Sequence, residues 1–234
     1  MAHLSGAARA QYVRSMFGRI AGRYDLMNRL MTAGQDVRWR KVVVELAALP
    51  KGGRLLDLGT GTGDIAAEAL RRDPSLRAVG GDFSLDMMRA GRTVSGRRAV
   101  LWAGTDALHL PFADDTFDTV TSGFLMRNVS DVRRAFEEQR RVLRRSGRIV
   151  CLDTTPPPQN WIRPFIRFHL HAVIPMLGKV ITGSGDAYRY LPDSTEGFLT
   201  AEALATLMTE AGFHEVRFRR LMFGTVAIHI GIRD

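Results

Sequence analysis

The stretch LLDLGTGTGDIA, residues 55–66, decides the fold. Its first half is an apolar run that reads as a strand, and Asp64 to Arg72 reads as a helix. Gly59, Gly61 and Gly63 lie between them. Small residues at such a junction let the backbone approach a ligand, while the start of the helix offers N–H groups with no partner inside the helix. Outward from this turn, short apolar runs alternate with helical stretches. LRAVGGD (76–82), AVLWAG (99–104), FDTVTSG (117–123) and RIVCLDT (148–154) read as strands, SLDMMRAGRTV (84–94) and DVRRAFEEQRRVLRR (131–145) as helices. That alternation predicts a parallel sheet with crossover helices. A further helix at 200–211 precedes HEVRFRRL and TVAIHIGI, which only the MFG turn separates. They predict a hairpin that closes the sheet with one antiparallel strand.

The spacing of the turn indicates its ligand. A dinucleotide site has the pattern G-x-G-x-x-G, with a pyrophosphate on the helix dipole. Here the pattern is G-x-G-x-G followed by Asp64, an acid that would oppose a diphosphate. Asp57, two residues before the first glycine, suits a ligand bearing an ammonium group. Asp82 ends the second strand, where a carboxylate can accept hydrogen bonds from two ribose hydroxyls. Asp106 and Ala107 follow the third strand, at the level of an adenine. Together these residues favour S-adenosylmethionine over a nicotinamide dinucleotide.

The chain has 234 residues, 45% hydrophobic and 24% charged, which fits one globular domain with a real core and excludes a disordered or collagen-like chain. A single cysteine, Cys151, excludes a disulfide scaffold and a cysteine-rich metal site, and it points to a reducing, cytoplasmic setting. No metal ligand set is expected from the histidine spacing. No run is long enough to span a membrane, and the opening residues lack the apolar block of a signal peptide. The net charge of +9 is carried almost entirely by arginine, with lysine only at 41, 51 and 179. The charges are spread along the chain, so nucleic acid is not the expected partner. Residues 1–50 divide off as a helical cap with helices near 8–32 and 36–48. Residues 51–154 form the ligand-binding core, 155–198 an inserted segment, and 199–234 the closing helix and hairpin.

LDLGTGTGD, the GDFS turn and DALHLPFADDTFD resemble the class I methyltransferases. Beyond that shared core, MFGRIAGRYDLMNRLMTAGQDVRWR (16–40), LMRNVSDVRRAFEEQRRVLRRSGRI (125–149), AYRYLPDSTEGF (187–198) and AIHIG (227–231) resemble the C-methyltransferases of menaquinone and ubiquinone biosynthesis. The resemblance spans nearly the whole chain. It implies a Rossmann-like α/β fold with a seven-stranded, mostly parallel sheet, helices on both faces and an N-terminal helical cap. It also implies that Thr62 and Asp82 contact S-adenosylmethionine, that Asp106 and Ala107 lie at its base, and that Tyr24 closes over it from the cap. Asp57, Gly59, Gly61, Phe83 and Gly123 complete the expected cofactor site. Two positions depart from the family pattern: Gly123 stands where a cofactor-contacting serine is usual, and Asp153–Thr154–Thr155–Pro156 replaces E-F-S and a proline.

The acceptor that the resemblance implies is a prenylated hydroquinone, demethylmenaquinol. Carbon methylation needs an electron-rich ring, which the reduced quinol provides and the oxidised quinone does not. Arg127, after the fourth strand, lies where ligands gather in such sheets and can hold a developing phenolate. Asp153, ending the fifth strand, is the expected proton acceptor, directly or through water. Plainer roles compete: Arg127 and Asn128 could cap the next helix, His229 could be a packed strand residue, and Met87 and Met88 could be core. NWIRPFIRFHLHAVIPMLGKVIT (160–182) mixes aromatics and cations without an acid, as expected either of a segment lying on an anionic membrane surface or of a pocket lid. A homodimer is compatible with these features. The alternatives are a C-methyltransferase for the ubiquinone precursor or another ring, a non-catalytic cofactor-binding subunit, and a nicotinamide-dependent oxidoreductase. The N/D-P-P-Y/F turn of amino-methylating nucleic-acid enzymes is absent, and GFLMRNV occupies its place.

Overall fold

The computed structural model describes residues 6–182 and 185–234. Residues 1–5 of the expected cap and residues 183 and 184 of the expected 155–198 segment lie outside the described ones. Seven strands form one sheet: β1 (Arg54–Leu58), β2 (Arg77–Asp82), β3 (Leu101–Gly104), β4 (Phe117–Gly123), β5 (Leu143–Thr154), β6 (Phe213–Leu221) and β7 (Val226–Arg233). Their order is β3-β2-β1-β4-β5-β7-β6. The first five run parallel, and β7 enters antiparallel between β5 and β6. This is the expected fold class, including the reversed strand.

The interior strands are apolar on both faces because helices cover both. Leu55, Leu56, Val120, Ile149 and Val150 have no exposed surface. One face packs α6 (Val132–Val142) and α10 (Ala201–Glu210) through Phe136, Leu204 and Met208, and Phe136 meets Phe213 edge-on at 6.3 Å. The other face packs α3 (Gln35–Ala47) and α4 (Asp64–Arg72) through Trp39, Val43, Ile65 and Ala69. Side-chain caps fix the starts of α6 and α10: the Asp131 carboxylate accepts from Arg134 N, and the Thr200 hydroxyl from Ala203 N. Asp131 therefore fills the capping role considered for Asn128.

Two boundaries differ from the expectation. The 131–145 helix ends at Val142, because Leu143 pairs with Phe117 and the chain joins the sheet five residues earlier than the apolar run suggests. The 8–32 stretch is two helices, α1 (Gly6–Ile20) and α2 (Tyr24–Met31), with a tight 3-10 turn at Ala21–Arg23 between them. From Arg163 on, the 155–198 segment is helical: α7 (Arg163–Phe168), a π-helical turn at His169–Val173, α8 (Ile174–Thr182) and α9 (Gly185–Glu196). It packs on the cap, where Leu170, Ile174 and Tyr190 bury against Met16, Ile20 and Met27. Among the described residues no helix is long and apolar enough to cross a membrane.

Candidate active site

Strand register puts the expected site residues at one edge of the sheet. Leu58 pairs with Gly81 on one side and Ser122 on the other, so Gly59, Asp82 and Gly123 emerge together where strand order reverses. The turn itself depends on glycine. Gly59, Gly61 and Gly63 all have positive φ, and a Cβ on Gly63 would meet the Trp102 ring at 2.5 Å.

A cavity of about 310 Å³ opens at this edge. Its walls include Gly59, Gly61, Asp82, Phe83, Asp106, Ala107 and Gly123, with Met87 from α5 (Leu85–Arg92). The cap covers it with Arg14, Phe17 and Tyr24, and the Arg14 guanidinium lies 5.4 Å from the Phe83 ring. Asp82 is fixed by backbone donors: Gly61 N donates to one oxygen and Ser84 N to the other, each at 2.7 Å. Burial pushes its pKa up, a cost that ribose hydroxyls hydrogen-bonded to the carboxylate would offset. An acidic residue at the second strand, a glycine cradle and an apolar base end fit S-adenosylmethionine.

Two expected cofactor contacts stand outside this lining. Thr62 donates its hydroxyl to Asp25 at 2.8 Å and so ties the turn to α2. Asp57 sits beneath the turn, accepting the hydroxyls of Thr60 at 2.6 Å and Thr121 at 3.0 Å. Burial raises its pKa to about 6. A carboxyl raised in the folded state holds its proton more tightly there than in the unfolded chain. Its contribution to stability is therefore greatest below the ordinary carboxylate range and falls as pH rises to about 6, by about 3 kcal/mol at most. Asp57→Asn should abolish that loss: between pH 4 and pH 7 in urea titrations, the variant should gain about 2 kcal/mol relative to the parent. A constant difference would show that Asp57 ionises freely.

A second, larger cavity of about 610 Å³ lies between the cap, the 155–198 segment and the β6–β7 turn. Its lining is almost wholly apolar, with Met16, Ile20, Trp39, Ile166, Leu170 and Ile174 among it. Tyr24, Phe17 and Phe124 line both cavities and form the partition between them. Burial raises the Tyr24 phenol pKa, keeping it a neutral donor. Its polar lining residues include Asn28, Thr32, Asp36, Arg127 and Thr154.

Arg127 occupies a short 3-10 turn, Met126–Asn128, and is buried. Its Nη1 donates to Asp153 Oδ1 at 2.7 Å, its backbone N donates to Asp153 Oδ2 at 3.2 Å, and its guanidinium lies 5.2 Å from the Phe124 ring. A guanidinium so held cannot be serving as a surface helix cap. Asp153 does not line the cavity, and Thr154 N also donates to it at 2.7 Å. His229 is packed in β7, its Nε2 2.8 Å from Ala201 O.

Sequence reasoning missed Asp36, Trp39, Phe124 and Phe223 as site residues. Phe223 is in the tight turn Met222–Gly224, and left-handed backbone at all three residues presents its ring at the cavity mouth. MFG between two strands signalled a turn; nothing in it signalled a pocket.

The comparisons with known proteins agree with this geometry. The ubiE/COQ5 methyltransferase family model matches residues 6–233. The ubiquinone/menaquinone biosynthesis C-methyltransferase UbiE of Desulfotalea psychrophila is 49% identical over 94% of this chain and 90% of its own length. A demethylmenaquinone methyltransferase of Roseiflexus castenholzii is 45% identical over 96% of this chain and 94% of its own. Among solved structures, a SAM-dependent methyltransferase from Thermotoga maritima superposes with a TM-score of 0.66 at 19% identity, covering 94% of this chain and 99% of that one, which shows the shared fold. With a matching sheet, paired cavities and near full-length relatives, the chain belongs to the ubiE/COQ5 methyltransferase family.

Proposed function

We propose that this protein methylates a ring carbon of demethylmenaquinol, using S-adenosylmethionine held in the smaller cavity. The observation that carries this function is the pair of cavities meeting at Tyr24, Phe17 and Phe124, the larger one apolar enough for a prenylated ring. Gly59, Gly61, Asp82, Phe83, Asp106, Ala107, Gly123 and Tyr24 hold the cofactor, which supplies a methyl group already activated as a sulfonium. The protein's share is alignment, exclusion of water and charge stabilisation. Arg127, rigid against Phe124 and Asp153, steadies negative charge on the ring oxygen next to the reacting carbon. Asp153, whose oxygens are taken up by Arg127 and Thr154, acts by positioning Arg127. Purified protein given chemically reduced demethylmenaquinone should turn it over, and the oxidised quinone under non-reducing conditions should not react. Equal rates would refute the role given to the reduced ring.

The tail of such a substrate has to leave the cavity. Its mouth is flanked by Trp161, Phe165 and Phe223, 83%, 70% and 75% exposed, and Phe168, Met176 and Val180 continue the apolar surface along α7 and α8. Arg163, Arg167 and Lys179 interleave with them, an arrangement suited to an anionic bilayer surface. Phe168→Ser with Val180→Ser should at least halve co-sedimentation with phosphatidylglycerol vesicles. Unchanged co-sedimentation would make the segment a lid that does not touch lipid.

A further inference from the structure

Resting on the quinol reading above, the acceptor cavity holds one hydroxyl hydrogen that no described residue accepts. Strand β5 decides which side chains face the cavity, because neighbours on a strand point to opposite faces. Ile149 and Cys151 pack with Phe136 on one side of the sheet, and Val150 and Leu152 pack with Trp39 and Val226 on the other. Asp153 continues the first set and stays behind the wall. Thr154 continues the second and, like Trp39 and Val226, lines the cavity. The Thr195 hydroxyl, from α9, donates to Thr154 Oγ1 at 3.3 Å, and Thr195 lines the cavity too. Two hydroxyls that share one hydrogen bond keep one hydrogen between them. Thr195 is only 2% exposed whereas Thr154 is half-buried, so the spare hydrogen is that of Thr154. A donor on an apolar wall stays unsatisfied until a ligand oxygen meets it.

Asp153 sets where this hydroxyl stands relative to Arg127. Arg127 Nη1 and Thr154 N both donate to Asp153 Oδ1, each at 2.7 Å, so the two residues flank a single oxygen. Phe124 N donates to Leu152 O at 2.7 Å, which ties the partition residue to β5 two positions before Thr154. The Arg127 guanidinium rests 5.2 Å from the ring of the same Phe124. Guanidinium and hydroxyl therefore enter the cavity wall as neighbours, both anchored to the Phe124 end of β5.

We infer that Thr154 is a second catalytic donor, its hydroxyl hydrogen-bonded to the ring oxygen whose charge Arg127 steadies. The oxygen reacts as phenolate, its own proton given up to water, and its lone pairs take one hydrogen bond from each residue. Thr154 keeps its proton throughout, since an alkyl hydroxyl is a far weaker acid than a ring hydroxyl. Thr195 is a positioning residue: its bond to Thr154 Oγ1 turns the Thr154 hydrogen towards the cavity.

The test combines turnover with a spectroscopic measurement that needs no methyl transfer. Thr154→Val, matched in shape but without the hydroxyl, should lower kcat with reduced demethylmenaquinone about 10- to 100-fold, the effect of one hydrogen bond to a charged group. Its S-adenosylmethionine Kd should stay within twofold of the parent. Thr154→Ser should recover most of the rate, and Thr195→Val should lose less than Thr154→Val. With no cofactor present, absorbance titration of bound 4-nitro-1-naphthol should give a pKa below that of the free dye. Thr154→Val should raise the bound value by about one unit, a tenfold change in ionisation, and Thr154→Ser should leave it near that of the parent. A dye pKa that the parent protein does not lower overturns the assignment without any variant. So does a kcat for Thr154→Val within threefold of the parent, or a bound dye pKa that Thr154→Val leaves unchanged. Thr154→Ser as slow as Thr154→Val would make the position one of packing, and a larger loss in Thr195→Val would make Thr195 the donor; either overturns it. A dye pKa that depends on the Thr154 hydroxyl in a protein that methylates no reduced quinone would support the donor and count against the quinol acceptor.

Discussion

Arg127→Ala should lower kcat with reduced demethylmenaquinone by roughly 100- to 1000-fold, the effect of removing a donor to a developing oxyanion, while the S-adenosylmethionine Kd stays within twofold. The split is expected because Arg127 lines the acceptor cavity and is absent from the cofactor cavity's walls. The same variant should lose about 3 kcal/mol or more of stability, because the buried Asp153 carboxylate is left without its ion-pair partner. The double variant Arg127→Met, Asp153→Leu separates the two roles. Removing both charges should restore most of the stability and none of the activity. If the double variant recovers turnover, Arg127 is structural. If the single variant loses cofactor affinity together with kcat, its effect reaches the cofactor turn and the division between the two cavities is wrong.

Asp82→Ala should weaken S-adenosylmethionine binding at least 100-fold. Each hydrogen bond from a ribose hydroxyl to a charged carboxylate contributes about 1.5–3 kcal/mol, and Asp82 offers one oxygen to each of two hydroxyls. A second cost comes from the turn, since Gly61 N loses the acceptor that holds it 2.7 Å away. Asp82→Asn keeps one acceptor oxygen and should fall between alanine and the parent protein in calorimetric titrations. An alanine variant with Kd within fivefold of the parent would place the ribose elsewhere.

The fold was legible because its signals are local. The apolar runs at 55–58 and 148–154, the glycine turn and the hairpin at 214–232 each announce themselves within a dozen residues, and they set the strand order between them. The end of the 131–145 helix was not legible, because Arg144 and Arg145 suit a helix as well as an exposed strand and the pairing of Leu143 with Phe117 is a tertiary choice. That Gly59, Gly61, Asp82, Asp106 and Gly123 come together around one cavity could be read from strand ends, since register carries them to one edge. Asp57 and Thr62 could not be resolved that way. Whether a side chain at a turn points at the ligand or beneath it depends on neighbours such as Thr121 and Asp25, both distant in sequence. The acceptor cavity was hidden for the same reason. It is assembled from the cap, the 155–198 helices and the β6–β7 turn, and Asp36, Phe124 and Phe223 come from three separate stretches. Only the run of aromatics and cations at 160–182 hinted that an apolar ligand would enter there.

The central claim is methyl transfer to the ring carbon of a reduced prenylated quinone. Its most direct test is to incubate the protein with methyl-labelled S-adenosylmethionine and chemically reduced demethylmenaquinone in detergent, then locate the label in the organic phase. The expected result is label on the ring carbon beside a hydroxyl, with one equivalent of S-adenosylhomocysteine formed per methyl group transferred. Label on oxygen, or none in the organic phase although titration shows the cofactor bound, would contradict it.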